Sequence, residues 1–253
     1  MLLTNDDGFY AEGIQTLEAY LQEEGEVFIV APDRERSATS MALTLHHPLR
    51  VKPIRDRVWA IDGTPTDCVY LAVQNLMPKT PDLIISGINR GPNLGQQDIA
   101  YSGTVGAAVQ GTFLQIPSIA VSHYPDDNQQ FDFDFCSRFI SRVAADLLIN
   151  PPPPGITLNI NIPAPPIKGV RFAKLGEKRY HPEIVINKDP RNRDYYWIGT
   201  GTPEAIGDAE SDVQLIKQGY VTVTPIHRDL TDYANLERPQ LRAVFEKAGR
   251  ETS

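Results

Sequence analysis

In residues 2–32, LLTNDDGFYAEGIQTLEAYLQEEGEVFIVAP, a short apolar run meets an Asn-Asp-Asp-Gly turn, then a helical stretch, then a second apolar run. Residues 2–4 predict a strand. Apolar positions at Ile14, Leu17, Ala19 and Leu21 fit a helix over about 11–24, ended near Gly25. Residues 27–31 predict a buried strand, stopped by Pro32. Strand, helix and strand with short connections form a βαβ unit, which implies a parallel sheet.

The pattern recurs further along. Leu83-Ile84-Ile85-Ser86 is a strand entering the Gly-rich segment 87–95, residues 105–114 are a helix rich in small side chains, and Ile119-Ala120-Val121-Ser122 is the next strand. Residues 135–148 predict another helix, ended by the proline run 151–154. Residues 156–162 and 170–173 are strand-like, 178–194 is polar and poorly periodic, 195–198 is an aromatic strand candidate and 221–225 a late alternating strand. The expected organisation is a catalytic core over 1–175 and a more extended region over 176–253, packed as one structural domain.

Ligands of open parallel sheets bind beyond the carboxyl ends of the strands, and Asp6, Ser37, Ser86, Asn89 and Ser122 all lie at or just past such ends. Two adjacent carboxylates at Asp6 and Asp7 repel by roughly 4 kcal/mol at an effective dielectric of about 20. A shared proton, a basic side chain or a cation must offset this. Neither sequence neighbour of the pair is basic, which favours a divalent metal over the alternative of an acidic helix cap. The spacing does not fit an EF-hand loop. The Ser37 hydroxyl and the Asn89 amide oxygen are neutral donors suited to the same cation, although the segment 33–40 also reads as a solvated loop. Two carboxylates with two neutral oxygens match magnesium or manganese better than zinc.

Tyr101-Ser102-Gly103-Thr104 opens the helix over 105–114, so Ser102, Gly103 and Thr104 are candidates for holding a phosphate at its N-terminus, with Asn93 as a further donor. A plain Ser/Thr N-cap is the competing reading. Gly63-Thr64-Pro65-Thr66-Asp67-Cys68 reads as a capped helix start with a structural role. The five histidines have no metal-ligand spacing, and His123 is expected to be a packing or surface residue. No G-x-G-x-x-G, P-loop or G-x-S-x-G motif occurs, which argues against dehydrogenase, NTPase and esterase functions.

The 253 residues are 41% hydrophobic and carry a net charge of −8. That charge argues against a broad nucleic-acid or anionic-membrane surface, while leaving room for a small phosphate held locally. Cys68 and Cys136 are too few for a disulfide framework and are expected as buried thiols. No leader-like segment and no 18-residue apolar stretch occurs, so a soluble, cytoplasmic protein is expected.

Taken together, the chain resembles the SurE (survival protein E) family of 5'/3'-nucleotidases. The matching segments are Leu2-Leu3-Thr4-Asn5-Asp6-Asp7-Gly8, Ala31-Pro32-Asp33-Arg34 with Arg36-Ser37, residues 63–69, and Ser86-Gly87-Ile88-Asn89 with residues 91–95. Residues 101–105 and 159–163, and Gly219-Tyr220-Val221 with Thr224-Pro225, continue the match. The resemblance implies an α/β, Rossmann-like core with helices on both faces of a mostly parallel sheet, and a β-rich C-terminal extension used in homodimer or homotetramer assembly. It implies one divalent cation per subunit, magnesium or manganese, on Asp6, Asp7, Ser37 and Asn89. It also implies hydrolysis of nucleoside monophosphates, with short polyphosphate as a secondary substrate of some members. Asn192 departs from the glycine that the family often has there, and the first strand begins about two residues short of the usual pattern.

The expected chemistry is metal-assisted phosphomonoester hydrolysis, with Asp7 able to double as a proton acceptor or donor. A covalent aspartyl-phosphate is the chemical alternative. A non-catalytic module that binds metal–nucleotide is the alternative of a different class.

Overall fold

The computed structural model describes residues 1–181, 183–199, 201, 203–206 and 208–251. In chain order the elements are β1 (Leu2–Thr4), α1 (Glu12–Leu21), β2 (Phe28–Pro32), β3 (Val51–Arg55), β4 (Val58–Ile61), α2 (Pro65–Leu71), β5 (Ile84–Arg90), α3 (Gly95–Tyr101) and α4 (Gly103–Phe113). They continue with β6 (Ser118–Tyr124), α5 (Phe133–Ile149), β7 (Ile156–Pro163), β8 (Gly169–Phe172), β9 (Glu177–Arg179), β10 (Glu183–Lys188) and β11 (Asp194–Gly199). The last are β12 (Glu204–Ile206), α6 (Asp212–Lys217), β13 (Tyr220–His227), α7 (Tyr233–Leu236) and α8 (Pro239–Glu251).

Nine strands form one sheet in the order β3-β4-β2-β1-β5-β6-β7-β13-β8. From β4 through β7 every neighbouring pair is parallel. The β-α-β pattern of the sequence dictates this, because successive parallel strands need a crossover. Successive strand residues point to opposite faces, so each apolar strand feeds two cores. Leu3, Ile29, Ile85 and Val121 pack with Ile14 and Leu17 of α1 and with Cys136 and Ile140 of α5. Leu2, Val30 and Ile84 pack on the other face with Cys68 and Val69 of α2 and with Ala107 of α4. Burial on both faces is why these strands read as continuous apolar runs rather than alternating ones. Both cysteines are buried free thiols, as their apolar surroundings predict.

Chain order moves outward from β1 to β2 and β4 on one side, and from β5 to β6 and β7 on the other. The crevice between the carboxyl ends of β1 and β5 is therefore the switch point of a doubly wound sheet, where ligands bind.

Several elements differ from the sequence reading. The β3–β4 hairpin was not expected: β3 is an edge strand, largely exposed, and carries Pro53, so its apolar alternation is weak. β5 runs through Asn89 to Arg90, where a loop was expected from Gly87. A register shift between Ser86 and Asn89 inserts an extra residue opposite β6. A Cβ on Gly87 would lie 2.3 Å from the Val121 carbonyl oxygen, so only glycine allows this approach.

Beyond residue 175 the polar stretch contains strands after all. β10 pairs with β11 as an exposed antiparallel hairpin, and β12 pairs with β9. β13 returns to the main sheet between β7 and β8, and the chain continues into α8, where an extended region was expected.

Candidate active site

β1 ends at Thr4, and the next residues turn sharply. The Asn5 amide donates to the Gly8 carbonyl at 2.9 Å, and the Asp6 carbonyl accepts the Arg36 N–H at 2.7 Å. This couples the two acidic residues to the loop that follows β2. Asp6 is 5% exposed, and its Oδ1 accepts the Thr104 hydroxyl. Burial raises its carboxyl to about 6, opposed by the Thr104 hydrogen bond and reinforced by the charge of Asp7. The Asp7 carboxyl is also raised, by burial first, although its Oδ2 accepts the Arg90 backbone N–H at 2.9 Å. Among the described residues, neither carboxylate has a lysine or arginine ion-pair partner.

Asp6, Asp7, Ser37 and Asn89 all line one cavity of about 870 Å³, together with Asn93 and Ser102. Ser37 donates its hydroxyl hydrogen to Glu35 at 2.8 Å, which leaves its oxygen lone pairs available. The Asn89 amide nitrogen donates to the Gly91 carbonyl at 2.7 Å, so its amide oxygen remains as an acceptor. Asn5, the residue before Asp6, has its Oδ1 buried without a hydrogen-bond partner. Among the described residues no three His, Cys, Asp or Glu side chains converge as a metal cluster. The convergence is instead of two carboxylates with a hydroxyl and an amide, an oxygen set that suits a hard divalent cation.

The four residues expected to hold phosphate divide into two pairs. Asn93 and Ser102 line the cavity. Ser102 also N-caps α4, accepting the Val105 N–H at 3.0 Å, so the capping reading holds as well. Gly103 and Thr104 sit behind Asp6. A Cβ on Gly103 would lie 2.8 Å from the Asp6 Cβ, and the wholly buried Thr104 has its hydroxyl on Asp6. Gly103 thus lets the N-terminus of α4 approach the carboxylate closely, and the positive end of the helix favours the charge there.

Asn93 is held by Ser122, one of the strand-end residues, and by Asn159 and Asn161, which stood out in the sequence only within the segment 159–163. Asn159 and Asn161 each donate to the Asn93 carbonyl at 2.9 Å, Asn161 Oδ1 accepts the Asn93 N–H, and the Asn93 amide donates to Ser122. Arg90 also lines the cavity, with its guanidinium 4.3 Å from the Phe131 ring centroid. Gln97, Asp98, Tyr101, Tyr180 and Ile198 complete much of the wall. Tyr180 and Ile198 are far from the motifs in sequence, so no spacing could have revealed them. His123 is a packing residue: it is buried, donates from Nδ1 to the Ile162 carbonyl, accepts the Asp132 N–H at Nε2, and lies edge-on to Phe131 and Phe133.

The family model described as "Survival protein SurE" matches residues 1–182. A protein named 5'-nucleotidase SurE from Pelotomaculum thermopropionicum is 48% identical over 245 residues, covering 94% of this chain and 93% of the relative. Another of that name, from Caldanaerobacter subterraneus, is 45% identical over 247 residues, covering 94% and 95%. Among solved structures, the SurE protein from Aquifex aeolicus superposes with a TM-score of 0.82 at 37% identity, covering 96% of this chain and 98% of that one.

Proposed function

The chain belongs to the SurE family, and from that premise we propose that its cavity is a metal-assisted phosphomonoesterase site. The activity is that of a 5'-nucleotidase, which hydrolyses a nucleoside monophosphate to nucleoside and phosphate. The observation that carries the site assignment is the pair of adjacent carboxylates, Asp6 and Asp7, which line one cavity with Ser37 and Asn89 and which, among the described residues, no lysine or arginine side chain ion-pairs.

Asp6, Asp7, Ser37 and Asn89 hold one divalent cation, magnesium or manganese, through oxygen. When bound, it supplies polarisation of a phosphoryl oxygen and lowers the pKa of a water at neutral pH. The remaining work belongs to the chain. Asn93, through its second amide hydrogen, and Ser102, through its hydroxyl, donate to phosphate oxygens as charge develops on them. Arg90, steadied on Phe131, supplies the positive charge that draws an anion into an otherwise acidic mouth. Thr104 and Gly103 act through Asp6, fixing its orientation. Asp7 has Oδ2 committed to Arg90, which leaves Oδ1 for ligation or for moving a proton.

Calorimetric titration with manganese tests the assignment. Asp6→Asn and Asn89→Ala are expected to lose binding while remaining folded, and undiminished binding in both would overturn it. The binding-module alternative predicts metal and AMP binding with no phosphate release.

The chain assembles as a homo-oligomer through the β10–β11 hairpin. Ile184, Val185 and Ile186 on one strand and Tyr195, Tyr196, Trp197 and Ile198 on the other are all exposed. Apolar and aromatic side chains exposed on both faces of a paired hairpin are the kind of surface that association covers. Sedimentation of Trp197→Asp, expected to dissociate relative to the unaltered chain, checks this. No helix among the described residues is long and apolar enough to cross a membrane.

A further inference from the structure

A cation and a phosphate leave most of a cavity of about 870 Å³ unfilled. The volume lies within the range typical of sites for whole small molecules. Its lining is divided in character. Asp6, Asp7, Glu35, Ser37 and Asn89 supply oxygen donors, and Tyr101, Tyr180 and Ile198 supply apolar and aromatic surface, with Gln97 and Asp98 of α3 beside them in the lining. A nucleoside monophosphate has the same division, an anion at one end and a flat π-system at the other.

On the aromatic side the chain has built a fixed ring. Asp98, in the first turn of α3, accepts the Tyr180 hydroxyl on Oδ1 and the Lys178 ammonium on Oδ2. The Lys178 and Asp98 side chains are only 10% and 15% exposed, so the pair is internal and their charges cancel there. Burial, and then the Asp98 carboxylate, raise the Tyr180 phenol above its usual range. The latch holds the Tyr180 ring at the wall in one orientation, so little rotamer freedom is lost on binding. Resting on the nucleotidase reading, we propose that Tyr180 is the platform on which the nucleobase stacks, and that it sets selectivity for nucleotides over phosphomonoesters without a base.

Stacking on an aromatic face is tolerant of base identity, and the site accepts adenine and guanine alike.

The test is the ratio of kcat/KM for AMP to kcat/KM for ribose 5-phosphate. In Tyr180→Ala this ratio is expected to fall about tenfold, through a higher KM for AMP, because stacking of one base contributes roughly a factor of ten or more. GMP is expected to follow AMP. Tyr180→Phe keeps the ring and is expected to restore most of the ratio. Should Tyr180→Ala fold poorly, Tyr180→Leu keeps the apolar volume and reports the same loss. An unchanged ratio in the alanine and leucine variants, or an equal loss in the phenylalanine variant, overturns the proposal. If the unaltered protein hydrolyses neither substrate with metal present, the nucleotidase reading itself fails and this inference falls with it.

Discussion

Thr104 donates its hydroxyl hydrogen to Asp6, bringing the first turn of α4 onto the end of β1 across 98 positions of chain. The contact turns a helix N-terminus and a strand end into one unit. It also fixes which Asp6 oxygen faces the helix.

Removing that hydroxyl should loosen the carboxylate without emptying the core. Hydrogen bonds to charged groups contribute about 1.5–3 kcal/mol. Thr104→Val, which keeps the shape, is therefore expected to weaken manganese binding and kcat/KM by roughly ten- to hundredfold. Thr104→Ser should retain most of both. Paired calorimetry and phosphate-release assays check this, and full activity in the valine variant would show that Thr104 does not orient Asp6.

Gly103→Ala places a methyl group against the Asp6 side chain and near the Thr39 hydroxyl. Either the helix or the carboxylate must move, and overpacking of this kind costs about 1–3 kcal/mol. Reduced metal affinity together with a lower urea midpoint is the expected result.

The raised Asp6 carboxyl makes the stability of metal-free protein depend on pH. Its value in the folded chain is about 6, against about 4 in an unfolded chain, so the folded state holds this proton more tightly. Its stabilising contribution is complete below about pH 4 and is lost as pH rises through about 6. The loss is on the order of 3 kcal/mol. Urea titrations of metal-stripped protein should show this component, and Asp6→Asn should lack it. Saturating manganese should suppress the loss near neutral pH, because the cation takes the place of the proton.

Asp67 is 2% exposed and accepts the Thr44 N–H, the Thr44 hydroxyl and the Thr64 N–H. With Thr64 it forms a capping box on α2, and through Thr44 it ties down the segment that carries Ser37. Asp67→Ala leaves those half-buried donors without their acceptor and removes the capping box, and a loss of roughly 1–3 kcal/mol in unfolding free energy is expected. A variant as stable as the parent in urea would contradict that role.

The parallel sheet was legible because its strands are buried on both faces and its helices carry an apolar stripe, as in the pairing of Leu2 and Leu3 with opposite cores. The carboxylate pair was legible because adjacent like charges at a strand end need a physical cause. What was not legible depends on contacts between distant segments. The hydroxyl of Thr104 looks equally suited to phosphate and to Asp6 until the helix is docked. Asn159 and Asn161 look like polar interruptions in a strand until Asn93 is seen hydrogen-bonded to them. β9 and β10 were missed because their residues are largely exposed, so neither presents the half-buried alternation that marks a strand.

The most direct test of the central claim is phosphate release from AMP by metal-stripped protein, before and after addition of manganese or magnesium. No turnover without cation, turnover on its addition, and a fall of at least about a hundredfold in Asp6→Asn are the predicted results. Equal turnover by stripped and metal-loaded protein would contradict the assignment of Asp6, Asp7, Ser37 and Asn89 to a catalytic cation.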